Sequence, residues 1–228
     1  CLRGSTHRRM EDGMPMNSYE IGVGGLSNPS KMKKRTDGLI CKCINLPPQA
    51  CNVGSKLIVI EGSVCEECYG TKGFYVMPTS QKAMQRRLDA LQTNPYWAND
   101  MAHAIGKCDL FRYQDNGDIQ GMSHLIKIVA VAHLRPDVRF WLPTKEYAVV
   151  SDYYKAGGTI PDNLIIRLSA PMRNQHLHMR AGHSSMVTTT DNVPYGTFIC
   201  ESLSRGGICG DCTACWDKKY LRIAYRYH

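Results

Sequence analysis

From about residue 56 the chain settles into short apolar runs separated by stretches whose apolar positions repeat every three or four residues. Leu57-Ile-Val-Ile60 reads as a strand. Beyond Pro78, Met84, Leu88 and Leu91 fall on one helical face, and after Asn94-Pro95 so do Trp97, Met101 and Ile105. Leu110-Phe-Arg-Tyr113 predicts a buried strand ending in the turn Gln114 to Asp118. An amphipathic helix over Ser123 to Leu134, stopped by Arg135-Pro136, leads to a strand over Val138 to Leu142. A helix over Tyr147 to Lys155, closed by Gly157-Gly158, leads to a strand over Leu164 to Leu168. Residues 171 to 196 lose the alternation, and Thr197-Phe-Ile199 predicts a last strand running into Cys200.

Strands alternating with helices at this pitch predict right-handed βαβ units and a parallel sheet. Four or five such units are too few for an eight-unit barrel. The expected fold is therefore α/β, a partial, open βα barrel or parallel sheet, followed by a C-terminal cysteine-rich cluster-binding segment. Three regions follow: an irregular or partly disordered lead-in over 1–40, an α/β core over 41–199, and the cysteine-rich segment over 200–228, packed on the core. The chain opens at Cys1, and Met10, Met14 or Met16 would each serve as a start.

With 228 residues, 43% of them hydrophobic, the chain buries a core without needing cross-links. Eleven cysteines are an odd number and clustered, which argues against a fully paired disulfide framework. No apolar stretch is long enough for a membrane span or a signal peptide, so the expected location is a cytoplasm with reduced thiols and no membrane partner. The net charge of +8 would suit nucleic acid. However, the basic residues scatter, and the two runs, Lys31-Met-Lys33-Lys34-Arg35 and Arg86-Arg87, read as solvated surface, so a nucleic-acid partner is not favoured.

The chemistry concentrates near the C-terminus, where Cys200, Cys209, Cys212 and Cys215 fall within sixteen residues, the last three spaced C-x2-C-x2-C. Two-residue spacers let thiolates curl round one centre with backbone N–H groups turned toward the sulfurs, as in iron–sulfur and zinc sites. A [4Fe–4S] cluster is the leading expectation; zinc is the alternative, with Cys65 and Cys68 able to pair with Cys212 and Cys215. Cys51, Cys65 and Cys68 make a second set, which completes the same site or forms another. Cys41 and Cys43, one residue apart, point in opposed directions if extended, and Cys108 reads as a buried thiol. Arg112 and Arg167 lie in apolar strands, where a charge needs a partner. With Asp118 or Glu146 they would form a rim site for an anionic or polar small molecule. Met172, Met179 and Met186 with His176, His178 and His183 read as a mobile or core-filling segment, and Trp216 with Tyr220 to Tyr227 as packing around the cysteines.

GSVCEECYGTKGFY, FRYQDNGDIQ, FWLPTKE, NLIIRLSA and ICGDCTACWDKKYLRIAYRYH, in this order from about residue 16 to the C-terminus, resemble the phage gene product 88 family. The resemblance implies a phage-encoded, cysteine-rich protein with an iron–sulfur centre and an α/β core reminiscent of radical-SAM barrels. The function expected is electron transfer or a redox-linked role, with a host redox protein or other host protein as partner in the host cytoplasm. The alternatives are a radical-SAM-like enzyme using the Cys51, Cys65 and Cys68 region, and a zinc-stabilised nucleic-acid-binding module. Radical-SAM loops carry three closely spaced cysteines after the first strand. The corresponding loop here has Cys65-x2-Cys68, with Cys51 upstream. Four thiolates at the C-terminus would instead saturate a cluster, which favours electron transfer over catalysis at iron.

Overall fold

Residues 17–32, 35–178 and 182–227 are described by the structure, a computed structural model. Seven strands form one all-parallel sheet: β1 (Cys41–Cys43), β2 (Leu110–Arg112), β3 (Arg139–Thr144), β4 (Leu164–Ser169), β5 (Ser184–Thr188), β6 (Thr197–Cys200) and β7 (Arg222–Arg226), in the order β1-β2-β3-β4-β5-β7-β6. The sheet curls into a half-barrel. Among the described residues the α-helices are α1 (Ser18–Gly22), α2 (Gly54–Leu57), α3 (Pro78–Thr93), α4 (Trp97–Ile105), α5 (Met122–Leu134) and α6 (Tyr147–Lys155). The expected α/β partial barrel is therefore the fold observed.

The period-two rule for strands divides the sheet into two cores. Phe111, Phe140, Leu142, Leu164 and Ile166 join Leu88 and Leu91 of α3, Met101 and Ile105 of α4, and Leu125 and Ile128 of α5 in the main hydrophobic core. Their neighbours in the strands point the other way. Leu110 and Trp141 pack with Trp216, Met32, Cys41, Cys209, Cys215 and Tyr225 in a second core. Burying each large apolar side chain stabilises the fold by about 1.5–3 kcal/mol, so the helical side carries most of the stability. The cysteine-bearing side is the one set aside from the helices.

Three elements differ from the sequence pattern. Leu57 to Ile60 is not a strand: Gly54–Leu57 is one helical turn, and Val59 is 85% exposed. A four-residue apolar run has no periodicity that separates strand from turn, and here no neighbouring strand pairs with it. The first strand is instead Cys41-Lys-Cys43, in register with Leu110 to Arg112. Between Pro171 and Pro194, β5 was hidden because it is buried and polar, with Ser184, Ser185 and Thr188 all under 9% exposed. The third is β7, whose Arg222 and Arg226 flank the fully buried Ile223 and Ala224. It sits between β5 and β6, so the residues after the cysteine run return into the sheet.

In the lead-in, Asn17 caps α1 through a capping box with Glu20, and the first sixteen residues lie outside those described. No helix among the described residues is long and apolar enough to cross a membrane.

Candidate functional site

The C-terminal cysteines are gathered by three segments. Cys200 ends β6, and its thiol donates to the Ser202 hydroxyl at 3.3 Å. Cys209 and Cys212 close a tight turn, the Cys212 N–H donating to the Cys209 carbonyl, with Gly210 at φ +55° where only glycine sits without strain. Cys215 opens toward β7, its sulfur 3.3 Å from the Tyr225 hydroxyl. Cys200 acts electrostatically on both Cys209 and Cys215, and Cys212 on Cys209. Burial, the first cause in each case, raises the thiol pKa of Cys209 and pushes Cys215 up to about 12. As free groups they are protonated thiols, and conversion to thiolates requires a strong local cation.

The segment preceding β1 clamps this loop. Arg35 donates to the carbonyls of Gly210 at 3.1 Å, Asp211 at 3.2 Å and Cys212 at 3.3 Å. Held this way, the trans peptides turn the N–H groups of Asp211 and Thr213 away from Arg35. The Asp211 carboxylate accepts from the Thr36 N–H at 2.7 Å, from its hydroxyl and from the Asp37 N–H, while the Cys209 N–H donates to the Lys31 carbonyl at 2.9 Å. Arg35 stands in a basic run read as solvated, yet its side chain is only 4% exposed. Arg87, in the other run, is also buried and donates to Gly25, Asn45 and Ser27. Both runs therefore supply a structural arginine, because a guanidinium with several carbonyl acceptors tolerates burial.

The second cysteine set lies in the long connection after β1. Cys65 and Cys68 act electrostatically on Cys51, and the Cys51 and Cys65 sulfurs both lie within 4 Å of where a Cβ on Gly54 would stand. The Ser63 hydroxyl accepts from the N–H groups of Cys65 and Glu66, and Glu66 pairs with Arg173. Glu146 accepts from the Val53 N–H at 3.0 Å, fixing the turn after Cys51. Lys145 hydrogen-bonds to Cys65 and opposes the burial that raises that thiol. Asp118 faces this set. Its carboxylate accepts from Thr144 Oγ1 at 2.6 Å and from the backbone of Lys145 and Ile119, and burial raises its pKa.

Asp118 is not brought together with Arg112 or Arg167, which instead both act on Cys215. Arg112 pairs with Asp115 at 2.8 Å, not with Asp118. Arg167, fully buried, donates through Nη1 to the carbonyls of Ser184, Tyr220 and Leu221. Asp118 belongs with Cys51, Cys65 and Lys145. Cys43 and Cys108 are buried thiols, while Cys41 packs against the Cys209 and Cys215 side. Met179 lies outside the described residues, Met186 is buried, and His183 hydrogen-bonds the Lys218 carbonyl. A cavity of about 580 Å³ between α6 and β4 contains none of the cysteines.

Sequence reasoning missed Arg35, Lys145 and Trp141 as members of these sites, whereas Tyr225 lies in the Tyr220 to Tyr227 run expected to pack around the cysteines. Lys145 alone had a local signal, its place directly after a parallel strand.

Among the described residues no group of three or more His, Cys, Asp or Glu side chains is disposed to hold a metal ion. The donor chemistry, four cysteines with the Arg167 guanidinium acting on Cys215 and its Nε and Nη2 unpaired, suits an anionic, sulfur-ligated group.

A family model for gene product 88 matches residues 25–218. The chain belongs to the gene product 88 family. The match takes in both cysteine sets and strands β1 to β6 but ends before β7. No curated protein and no solved structure matches the chain.

Proposed function

We propose that this gene product 88 protein is a phage-encoded iron–sulfur protein of the host cytoplasm, holding one [4Fe–4S] cluster through Cys200, Cys209, Cys212 and Cys215 and serving electron transfer. The observation that carries this reading is the clustering of these cysteines, Cys200 acting on Cys209 and Cys215 and Cys212 on Cys209, beside the half-buried Arg112 and the buried Arg167, both of which act on Cys215. A four-thiolate cluster is anionic, and in a buried site that charge needs nearby cations. A zinc ion would need its thiolates at about 2.3 Å from one point. Four ligands leave no iron open, so the cluster would pass electrons, with a host redox protein as the natural partner. Anaerobic purification followed by iron, sulfide and zinc analysis tests the reading. It predicts iron and acid-labile sulfide in equal amounts, and stoichiometric zinc without iron overturns it.

A second reading has its own support. With β1 at Cys41–Cys43, all of Cys51, Cys65 and Cys68 fall in the connection beyond its C-terminal end, where parallel α/β folds carry their working groups. Three thiols would leave one cluster iron open to a small-molecule ligand, as a radical-SAM-like enzyme requires. This reading predicts that iron persists in a Cys209→Ser/Cys212→Ser double variant and that the reduced protein binds S-adenosylmethionine. An iron-free double variant would contradict it.

A further inference from the structure

We infer that Arg167, Trp141 and Arg112 form a hydrogen-bond-donor wall against the Cys200, Cys209, Cys212 and Cys215 site and raise the reduction potential of the group held there. The inference rests on the iron–sulfur reading above and adds to it what sets the centre's redox poise.

Strand register puts the three residues on one face. Arg112 stands opposite Trp141, and Arg167 stands opposite Pro143, two residues further along β3. With a side-chain period of two, all three point to the side occupied by Trp216, Cys209, Cys215 and Tyr225. The Arg112 guanidinium lies 4.7 Å over the Trp141 ring, and Trp141 meets Trp216 edge-on at 5.1 Å. Trp216 is in turn fixed by its indole N–H, which donates to the Phe111 carbonyl at 2.9 Å.

Four polar groups on this face are buried without a partner: Arg112 Nε, Trp141 Nε1, and Arg167 Nε and Nη2. All four are donors, and a buried donor left unpaired costs about 1–3 kcal/mol. Natural folds rarely collect several such groups by accident, so each needs an account. Arg167 is fully buried and makes no ion pair among the described residues; the groups that act on its charge are Tyr225 and Cys215. Arg112 has Asp115 on one side only. Both guanidinium groups act on Cys215, and Arg112 also acts on Cys209. Donors without acceptors, on the sheet face that carries Cys209 and Cys215, are suited to the partly negative sulfurs of a cluster. Hydrogen bonds and positive charge at those sulfurs stabilise the more negative, reduced state. The electron itself comes from an external one-electron donor.

The test is a redox titration of the purified holoprotein, monitored by absorbance and by electron paramagnetic resonance, with dithionite as reductant. Arg167→Met is expected to shift the reduction equilibrium about tenfold toward the oxidised state, or about 59 mV for one electron. Arg167→Lys, which keeps the charge, should recover most of that shift. Trp141→Phe keeps an aromatic ring but removes a neutral donor, so it should shift the equilibrium in the same direction by about threefold. If the cluster assembles in Trp141→Phe and in either Arg167 variant but the potential stays at the wild-type value, the inference is overturned. If Arg167→Met fails to assemble a cluster, Trp141→Phe decides alone. A wild-type protein without iron would instead overturn the iron–sulfur reading, so the two failures are distinguishable.

Discussion

Arg35 connects two segments more than 170 positions apart with a single side chain, donating to three consecutive carbonyls of the Cys209–Cys212 turn. Removing it frees the turn without touching the main core. In Arg35→Ala, hydrogen exchange at the backbone amides of residues 209–213 should rise about tenfold or more, whereas those of β3 and β4 stay as in the wild type. Uniform acceleration across the chain would show that the clamp stabilises the whole fold instead. His124 makes a separate residue-scale prediction. Burial, with Lys127 adding to it, pushes its pKa down from 6.5 to about 3, and its Nδ1 accepts from the Gln120 N–H at 3.2 Å. The folded state therefore holds His124 neutral while the unfolded chain protonates it. Its contribution to stability is complete above pH 6.5 and is lost as pH falls toward about 3, at up to about 1.4 kcal/mol per pH unit. Denaturant unfolding of His124→Asn across this range should show a flatter dependence on pH; an unchanged slope would mean that other groups govern acid unfolding.

At the scale of elements, the apolar run at 57–60 and the polar run at 184–188 exchange the roles their composition suggests. Ile58, Val59 and Ile60 are all exposed, whereas Ser184 and Ser185 are buried within the sheet. Accordingly, Val59→Asp should leave stability within about 0.5 kcal/mol of the wild type, while Ile223→Asp in β7 should prevent folding. Thermal unfolding and soluble yield check both, and a large loss from Val59→Asp would restore a buried role for that segment. Helices α3 to α6 were legible because each carries a stripe of apolar residues, such as Met84, Leu88 and Leu91 or Trp97, Met101 and Ile105, and because Pro78, Pro95 and Pro136 mark limits among them, whereas the short α1 and α2 have no such stripe. The strands β2, β3 and β4 were legible as apolar runs between those helices. By contrast, β5 and β7 lack flanking helices and present serine, threonine and arginine, so no local pattern marks them. The sites divide in the same way. Cysteine spacing is written in the chain, but the Arg35 clamp and the distance between Arg112 and Asp118 depend on long-range pairing.

For the whole molecule, the half-barrel separates its tasks by face. Helices α3 to α6 cover one side of the strands, and the cysteine-rich loop with Trp216 and Tyr225 covers the other. Because β7 lies between β5 and β6, the chain after Cys215 is part of the sheet. A protein truncated before Arg222 should therefore lose β6 with β7 and accumulate as insoluble material; a soluble, cooperatively unfolding product would mean that β1 to β5 suffice. The two cysteine sets have different neighbours: Cys51 and Cys65 share theirs with Asp118 and Lys145, and Cys215 of the C-terminal set has Arg167 and Tyr225. The central claim is that the second of these holds an iron–sulfur cluster. Its most direct test is iron and acid-labile sulfide analysis of anaerobically purified wild-type protein beside the Cys209→Ser/Cys212→Ser double variant. The account predicts that the variant lacks about four irons and four sulfides per chain that the wild type contains. Equal iron in the two proteins, or zinc in place of iron, would contradict it.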